Sequence, residues 1–181
     1  APAASGLGLP RAVAEHLVAR QAQAELTDEQ RGAIVSVLMG TRLTILTGGP
    51  GTGKTTTMRS LIACLEALHV GYALCATTGR AAKQLTAATA RNAATVHRHL
   101  RIGGSNAPSQ PVAEPVLVID ESSMIDLWLL EQIVARLRPH TQVLLVGDVD
   151  QLPAVGPGAV LQDLIAAGEQ GQLPGLHVTR L

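Results

Sequence analysis

Apolar residues along the chain alternate between short continuous runs and stretches of helical spacing. Residues 43–47, 70–76, 116–119 and 142–146 are runs of strand length, rich in β-branched and apolar side chains, and residues 177–181 begin another. Between them Met58, Leu61, Ile62, Leu65 and Leu68 recur at helical spacing, as do Leu129, Leu130, Ile133, Val134 and Leu137. These predict helices over 56–68 and about 125–137; residues 79–85 open a shorter one, and Val160, Leu161, Leu164 and Ile165 mark a further one. Near the start, Pro10 is placed to begin a helix reaching about residue 24. Val13, Leu17 and Val18 form a stripe so thin that the helix is expected to pack on another element. Thr27 is placed as the N-cap of a second helix that buries Ile34, Val35 and Leu38, with Gln30 three positions on completing a capping box. Residues 101–115 are rich in Gly, Ser, Asn and Pro, have little to bury, and read as a loop or small hairpin. Strands alternating with helices predict an α/β fold, a parallel sheet with helices on both faces. The expected organisation is a linker and N-terminal helix over 1–25 and one α/β domain over 26–181.

In such a sheet ligands bind beyond the carboxyl ends of the strands. The first strand runs into Gly48-Gly49-Pro50-Gly51-Thr52-Gly53-Lys54-Thr55, which fits the phosphate-binding P-loop. Its glycines let backbone N–H groups curl around phosphate oxygens, and the helix that follows adds the positive end of its dipole. Lys54 is placed for the β- and γ-phosphates and the Thr55 hydroxyl for Mg²⁺. The nucleotide-binding set on this stretch is Gly49, Pro50, Gly51, Thr52, Gly53, Lys54, Thr55 and Thr56. Asp120-Glu121-Ser122-Ser123 follows the third strand: Asp120 is suited to hold Mg²⁺ and Glu121 to act as general base on water, whereas the plain alternative is a solvated turn capping the next helix. After the fourth strand, Gln151 can orient water or meet the γ-phosphate, or simply belong to a surface turn.

Composition narrows the partners. The 14 basic and 14 acidic residues give zero formal charge, so any basic footprint for nucleic acid must be local. Tyr72 and Trp128 are the only aromatics of the Phe, Tyr and Trp class, too few for a groove that grips strands by stacking. Cys64 and Cys75 lie in apolar runs and read as core residues. No apolar run approaches the roughly 18 residues of a membrane span, and the start lacks signal-peptide features. The expectation is a cytoplasmic protein of bacterial type with no membrane partner.

Taken in order, G-G-P-G-T-G-K-T, T-T-G-R-A-A-K, T-V-H-R, D-E-S-S-M and G-D-V-D-Q-L-P-A-V-G resemble the motifs of superfamily 1 DNA helicases, most of all the RecD-like branch, over residues 26–181. The resemblance implies a RecA-like P-loop motor domain, the first of a pair, using ATP and Mg²⁺ to move 5′ to 3′ along single-stranded DNA in repair or recombination. It implies that Lys54, Asp120, Glu121 and Gln151 form the catalytic set and Thr55 and Asp120 the Mg²⁺ ligands. Gln30 resembles the glutamine that reads adenine, a role that competes with its capping box or coexists with it through different atoms. Thr77, Thr78, Gly79, Arg80 and Lys83 match the motif that grips the DNA backbone, although the two cations also suit a solvated helix face. Thr95, His97 and Arg98 match a segment bordering the DNA path; for His97 a loop-fixing role is the alternative.

Two departures from the family pattern stand out. The 101–115 segment lies where these helicases carry a duplex-splitting pin, but it is short and has no aromatic residue. Motifs IV to VI, which belong to the second motor domain, are missing, so the chain is expected to be an excerpt of a longer protein whose partner domain supplies an arginine finger. Two other classes remain open. A P-loop small-molecule kinase would need a substrate lid and would not need the 147–156 motif; a nucleotide-dependent DNA clamp would bind DNA without unwinding it.

Overall fold

A computed structural model of the chain describes residues 7–103, 111–151 and 155–181. The helices are α1 (Arg11–Gln21), α2 (Asp28–Leu38), α3 (Lys54–Ala67), α4 (Gly79–Thr89), α5 (Val96–His99), α6 (Leu127–Val134) and α7 (Val160–Glu169). The strands are β1 (Leu43–Thr47), β2 (Tyr72–Ala76), β3 (Ala93–Thr95), β4 (Val116–Asp120), β5 (Gln142–Gly147) and β6 (Leu176–Arg180). All pair in parallel, in the order β3-β2-β4-β5-β1-β6.

Successive strand residues point to opposite faces, and both faces are covered. Leu46, Leu74, Val118, Leu144 and Val146 pack into one core with Ala14, Val18, Ile34, Leu38, Met58, Leu61 and Leu65 of α1, α2 and α3. Ile45, Cys75, Leu117, Ile119, Val143 and Leu145 pack into a second with Leu129 and Ile133 of α6 and Val160, Leu161 and Ile165 of α7. This is the parallel, doubly covered sheet that the alternating pattern predicts. β1, β4 and β5 lie side by side inside the sheet, so the loops after them open on one edge.

Several details differ from the sequence-based expectation. In α1 the buried positions are Ala14 and Val18, one turn apart, while Val13 is exposed; alanine carries the contact there and leaves no large apolar stripe to read. The helix expected over 125–137 is shorter. Residues Ser122–Met124 form a 3-10 turn, and Asp126 then caps α6 by accepting a hydrogen bond from the Leu129 N–H at 2.7 Å. Within α6 the buried residues are Leu129 and Ile133, and Val134, its last residue, is exposed. β3 was not foreseen, because Ala-Ala-Thr at a sheet edge has no apolar run. Of the 101–115 segment, residues 104–110 lie outside the described residues, but its far flank does bury a side chain: Val112 sits in the second core and its N–H donates to the Arg136 carbonyl at 2.8 Å. Among the described residues no helix is long and apolar enough to cross a membrane.

Candidate nucleotide site and the adjoining strand edge

β1 delivers the chain to Gly48, and α3 begins at Lys54, so the P-loop lies between a strand end and a helix start. Gly53 has φ of 89°, in the left-handed region that favours glycine, and a Cβ there would displace the Gln30 amide from its place against the loop. The loop is closed internally. The Thr52 hydroxyl donates to the Gly49 carbonyl at 2.8 Å, and Lys54 Nζ donates to the carbonyls of Gly48 and Gly49 at 2.6 and 2.8 Å. Gln30 braces the loop from below. Its Oε1 accepts from the Thr27 N–H at 3.0 Å and completes the capping box, while its Nε2 donates to the Thr52 carbonyl at 3.0 Å. Both ends of the amide are thus engaged, and Gln30 is not among the residues lining the cleft.

That cleft, of about 450 Å³, is lined by Pro50, Gly51, Gly53, Lys54, Thr55, Thr56, Asp120, Glu121, Gly147, Asp148 and Gln151. Residues from three loops, far apart in sequence, meet there because β4, β5 and β1 are neighbours. Burial pushes the Asp120 carboxyl above its ordinary range; the Glu121 N–H, donating to Asp120 Oδ1 at 2.9 Å, and the Lys54 charge pull the other way. Its oxygen, with the Thr55 hydroxyl, is the hard donor set that Mg²⁺ prefers, and a cation would relieve the burial cost of the carboxylate. Glu121 sits in the left-handed region at φ of 55°, a conformation costing on the order of 1 kcal/mol for a residue with a side chain. Gln151 is exposed at the cleft rim. Residues 152–154 of its motif lie outside the described residues. Gly156 does have a packing reason: a Cβ there would strike the Asp126 carboxylate that caps α6.

The expected nucleic-acid residues follow β2 and β3, at the same edge but on the far side of β4. Thr78 caps α4, its hydroxyl accepting from the Ala81 N–H at 3.1 Å, and Gly79, Arg80 and Lys83 are exposed. Thr95 caps α5 by accepting from the Arg98 N–H at 3.1 Å, and His97 and Arg98 are exposed. The His97 ring stacks on Trp128 with centroids 6.2 Å apart. Thr77 joins the two regions, its hydroxyl donating to the Glu121 carbonyl at 3.1 Å. Sequence reasoning missed that link, and it also left the buried Asp148 out of the site. Asp148 was visible as the polar residue ending an apolar strand; the Thr77 contact had no signal of its own.

Comparison with known proteins places this geometry. The chain is 41% identical over 153 residues to the ATP-dependent RecD2 DNA helicase of Deinococcus radiodurans, covering 83% of this chain and 21% of that protein. It is 39% identical over 169 residues to the RecBCD enzyme subunit RecD of Mycolicibacterium smegmatis, covering 76% of this chain and 30% of that subunit. The chain therefore spans less than a third of either relative. Among solved structures, Bacteroides Pif1 in complex with ADP-AlF4 superposes with a TM-score of 0.62 at 22% identity, over 88% of this chain and 42% of that one. The HK97 bacteriophage large terminase superposes with a TM-score of 0.65 at 12% identity, over 92% and 43%. The fold is thus the RecA-like P-loop fold, shared by proteins that differ in what they do. The AAA domain family profile matches residues 25–176, from the capping box before the P-loop through β5 and into β6, and the chain belongs to the AAA domain family.

Proposed function

We propose that this chain is the first RecA-like motor domain of an ATP-dependent DNA helicase that moves 5′ to 3′ along single-stranded DNA. The observation that carries the reading is the division of one sheet edge. The segments at the ends of β1, β4 and β5 form the cleft with Lys54, Thr55, Asp120, Glu121 and Gln151, and the cap of α4 and the helices α4 and α5 that follow β2 and β3 present Thr78, Arg80, Lys83, His97 and Arg98 beside it. The helicase relatives, with 38–41% identity in three of the bacterial cases, support the same reading.

In this reading the P-loop amides and Lys54 hold the β- and γ-phosphates, and Thr55 and Asp120 would hold Mg²⁺. The ion, when bound, would supply charge neutralisation for the phosphates. Glu121 accepts the proton of the attacking water, and Gln151 orients that water against the γ-phosphate. Gln30, by bracing Thr52, keeps the loop in shape, and the adenine base is expected to lie near it. Thr78, Thr95 and the cations take phosphates without reading bases, so binding should be indifferent to sequence. A second RecA-like domain of the same protein would close the other wall of the cleft. An arginine supplied from that wall contributes roughly 10³–10⁵ in rate in related chemistry.

Strand displacement tests the reading directly. The whole protein is offered partial duplexes with a 5′ or a 3′ single-stranded tail, with Mg·ATP. Release of the labelled strand from the 5′-tailed duplex alone is expected. Release from the 3′-tailed duplex alone would overturn the polarity. Tight DNA binding with no release from either would favour a clamp, and ATP consumption indifferent to DNA would favour a kinase.

A further inference from the structure

The start of α6 carries apolar surface that neither core uses. Met124, Leu127 and Trp128 are 43%, 60% and 49% exposed, while Leu129 and Ile133 turn into the second core. One bare apolar side chain is ordinary, but three so close together mark a contact surface. The backbone on either side of Trp128 is anchored: Asp126 accepts the Leu129 N–H at 2.7 Å, and the Leu127 N–H donates to the Pro157 carbonyl at 3.1 Å. The His97 ring of α5 lies against the indole, with centroids 6.2 Å and planes 28° apart. His97 is itself exposed, so the pair forms an open flat stack at the surface. α5 is also the helix whose Thr95 and Arg98 the helicase reading puts on the strand. The Thr95 hydroxyl accepts from the Arg98 N–H and keeps its own proton free for a phosphate. Glu131, one turn further along α6, is exposed and repels phosphate, which confines the match to the Trp128 end of the helix. With His97 and Glu131 bordering it, the open apolar area suits one flat ring better than a protein interface, whose core excludes charge. A stacked base asks only for such a π face, and every base has one.

We propose that Trp128, backed by His97, stacks one base of the single strand, adding a base contact to a path otherwise held by its phosphates. The inference rests on the helicase reading. The scarcity of aromatics rules out a groove lined by stacking rings, but one rigidly held indole is enough for one base.

The test measures equilibrium binding of the whole protein to oligothymidylate and to an abasic strand of the same length, over a range of salt. Wild type, Trp128→Ala and Trp128→Phe are compared. The abasic strand keeps every phosphate and removes the bases. Trp128→Ala is expected to weaken oligothymidylate binding about tenfold, within what one stacked base contributes, and to leave abasic binding within about twofold. The salt slope should hold, because an indole neutralises no phosphate. Trp128→Phe, which keeps a flat ring, should recover most of the loss. Equal losses on both strands would overturn the stack, since Trp128 would then act by packing against its own domain or another. Unchanged binding to both strands would overturn it as well, and so would a phenylalanine variant as weak as alanine. Wild-type protein that binds neither strand would instead contradict the helicase reading itself, and the stack with it.

Discussion

Asp120 carries opposing demands within one side chain. It ends the buried strand β4, and burial raises its pKa, yet a Mg²⁺ ligand must be ionised. A carboxyl whose folded pKa is raised binds its proton more tightly in the native state, so its ionisation weakens the fold as pH rises through that pKa. Asp120→Asn removes this penalty. At pH 7 without nucleotide the variant should melt at a higher temperature than wild type, and the gap should shrink below about pH 4, where the unfolded-state carboxyl is protonated as well. ATP turnover should be lost at the same time. A variant that melts lower at pH 7 would show that Asp120 is held by more than its bond to Glu121. Asp120 was legible in the sequence because a polar residue ending an apolar strand downstream of a P-loop has few other reasons to be there. The Thr77 hydroxyl was not legible, since its partner is 44 residues away and the contact depends on which strands are neighbours.

At the scale of elements, α2 is tied to the P-loop through one amide. Gln30 closes the capping box with Oε1 and braces Thr52 with Nε2, so helix start and phosphate loop share a residue. Gln30→Glu separates the two jobs. The carboxylate can still accept from the Thr27 N–H, but it meets the Thr52 carbonyl as acceptor against acceptor. Helix content should be retained, while Mg·ATP affinity drops about tenfold, a loss of about 1.4 kcal/mol. Gln30→Ala, which also removes the cap bond, should cost a further 0.5–2 kcal/mol or so of stability. Unchanged nucleotide affinity in the glutamate variant, followed by calorimetric titration, would show that the loop holds its shape unaided. The capping box was readable because its spacing is local. The brace to Thr52 was not, nor were the short β3 and the true start of α6. Those depend on edge pairing and on a 3-10 turn that hands the cap to Asp126.

Across the whole molecule, the pattern of strand-length runs and helical spacing was enough to expect a doubly covered parallel sheet, because burial on both faces leaves continuous apolar strands. It could not supply the order β3-β2-β4-β5-β1-β6, which is set by crossovers and not by any single segment. That order brings Lys54, Asp120, Glu121 and Gln151 into one cleft and sets Thr77 between the cleft and the cations of α4. The most direct measurement is steady-state ATP turnover of the whole protein with and without single-stranded DNA, for wild type and for Lys54→Ala. Wild-type turnover should rise with DNA. Lys54→Ala should keep its circular dichroism spectrum and lose at least about a hundredfold in turnover under both conditions, as expected when a group stabilising transition-state charge is removed. Near wild-type turnover in a folded Lys54→Ala protein would contradict the account.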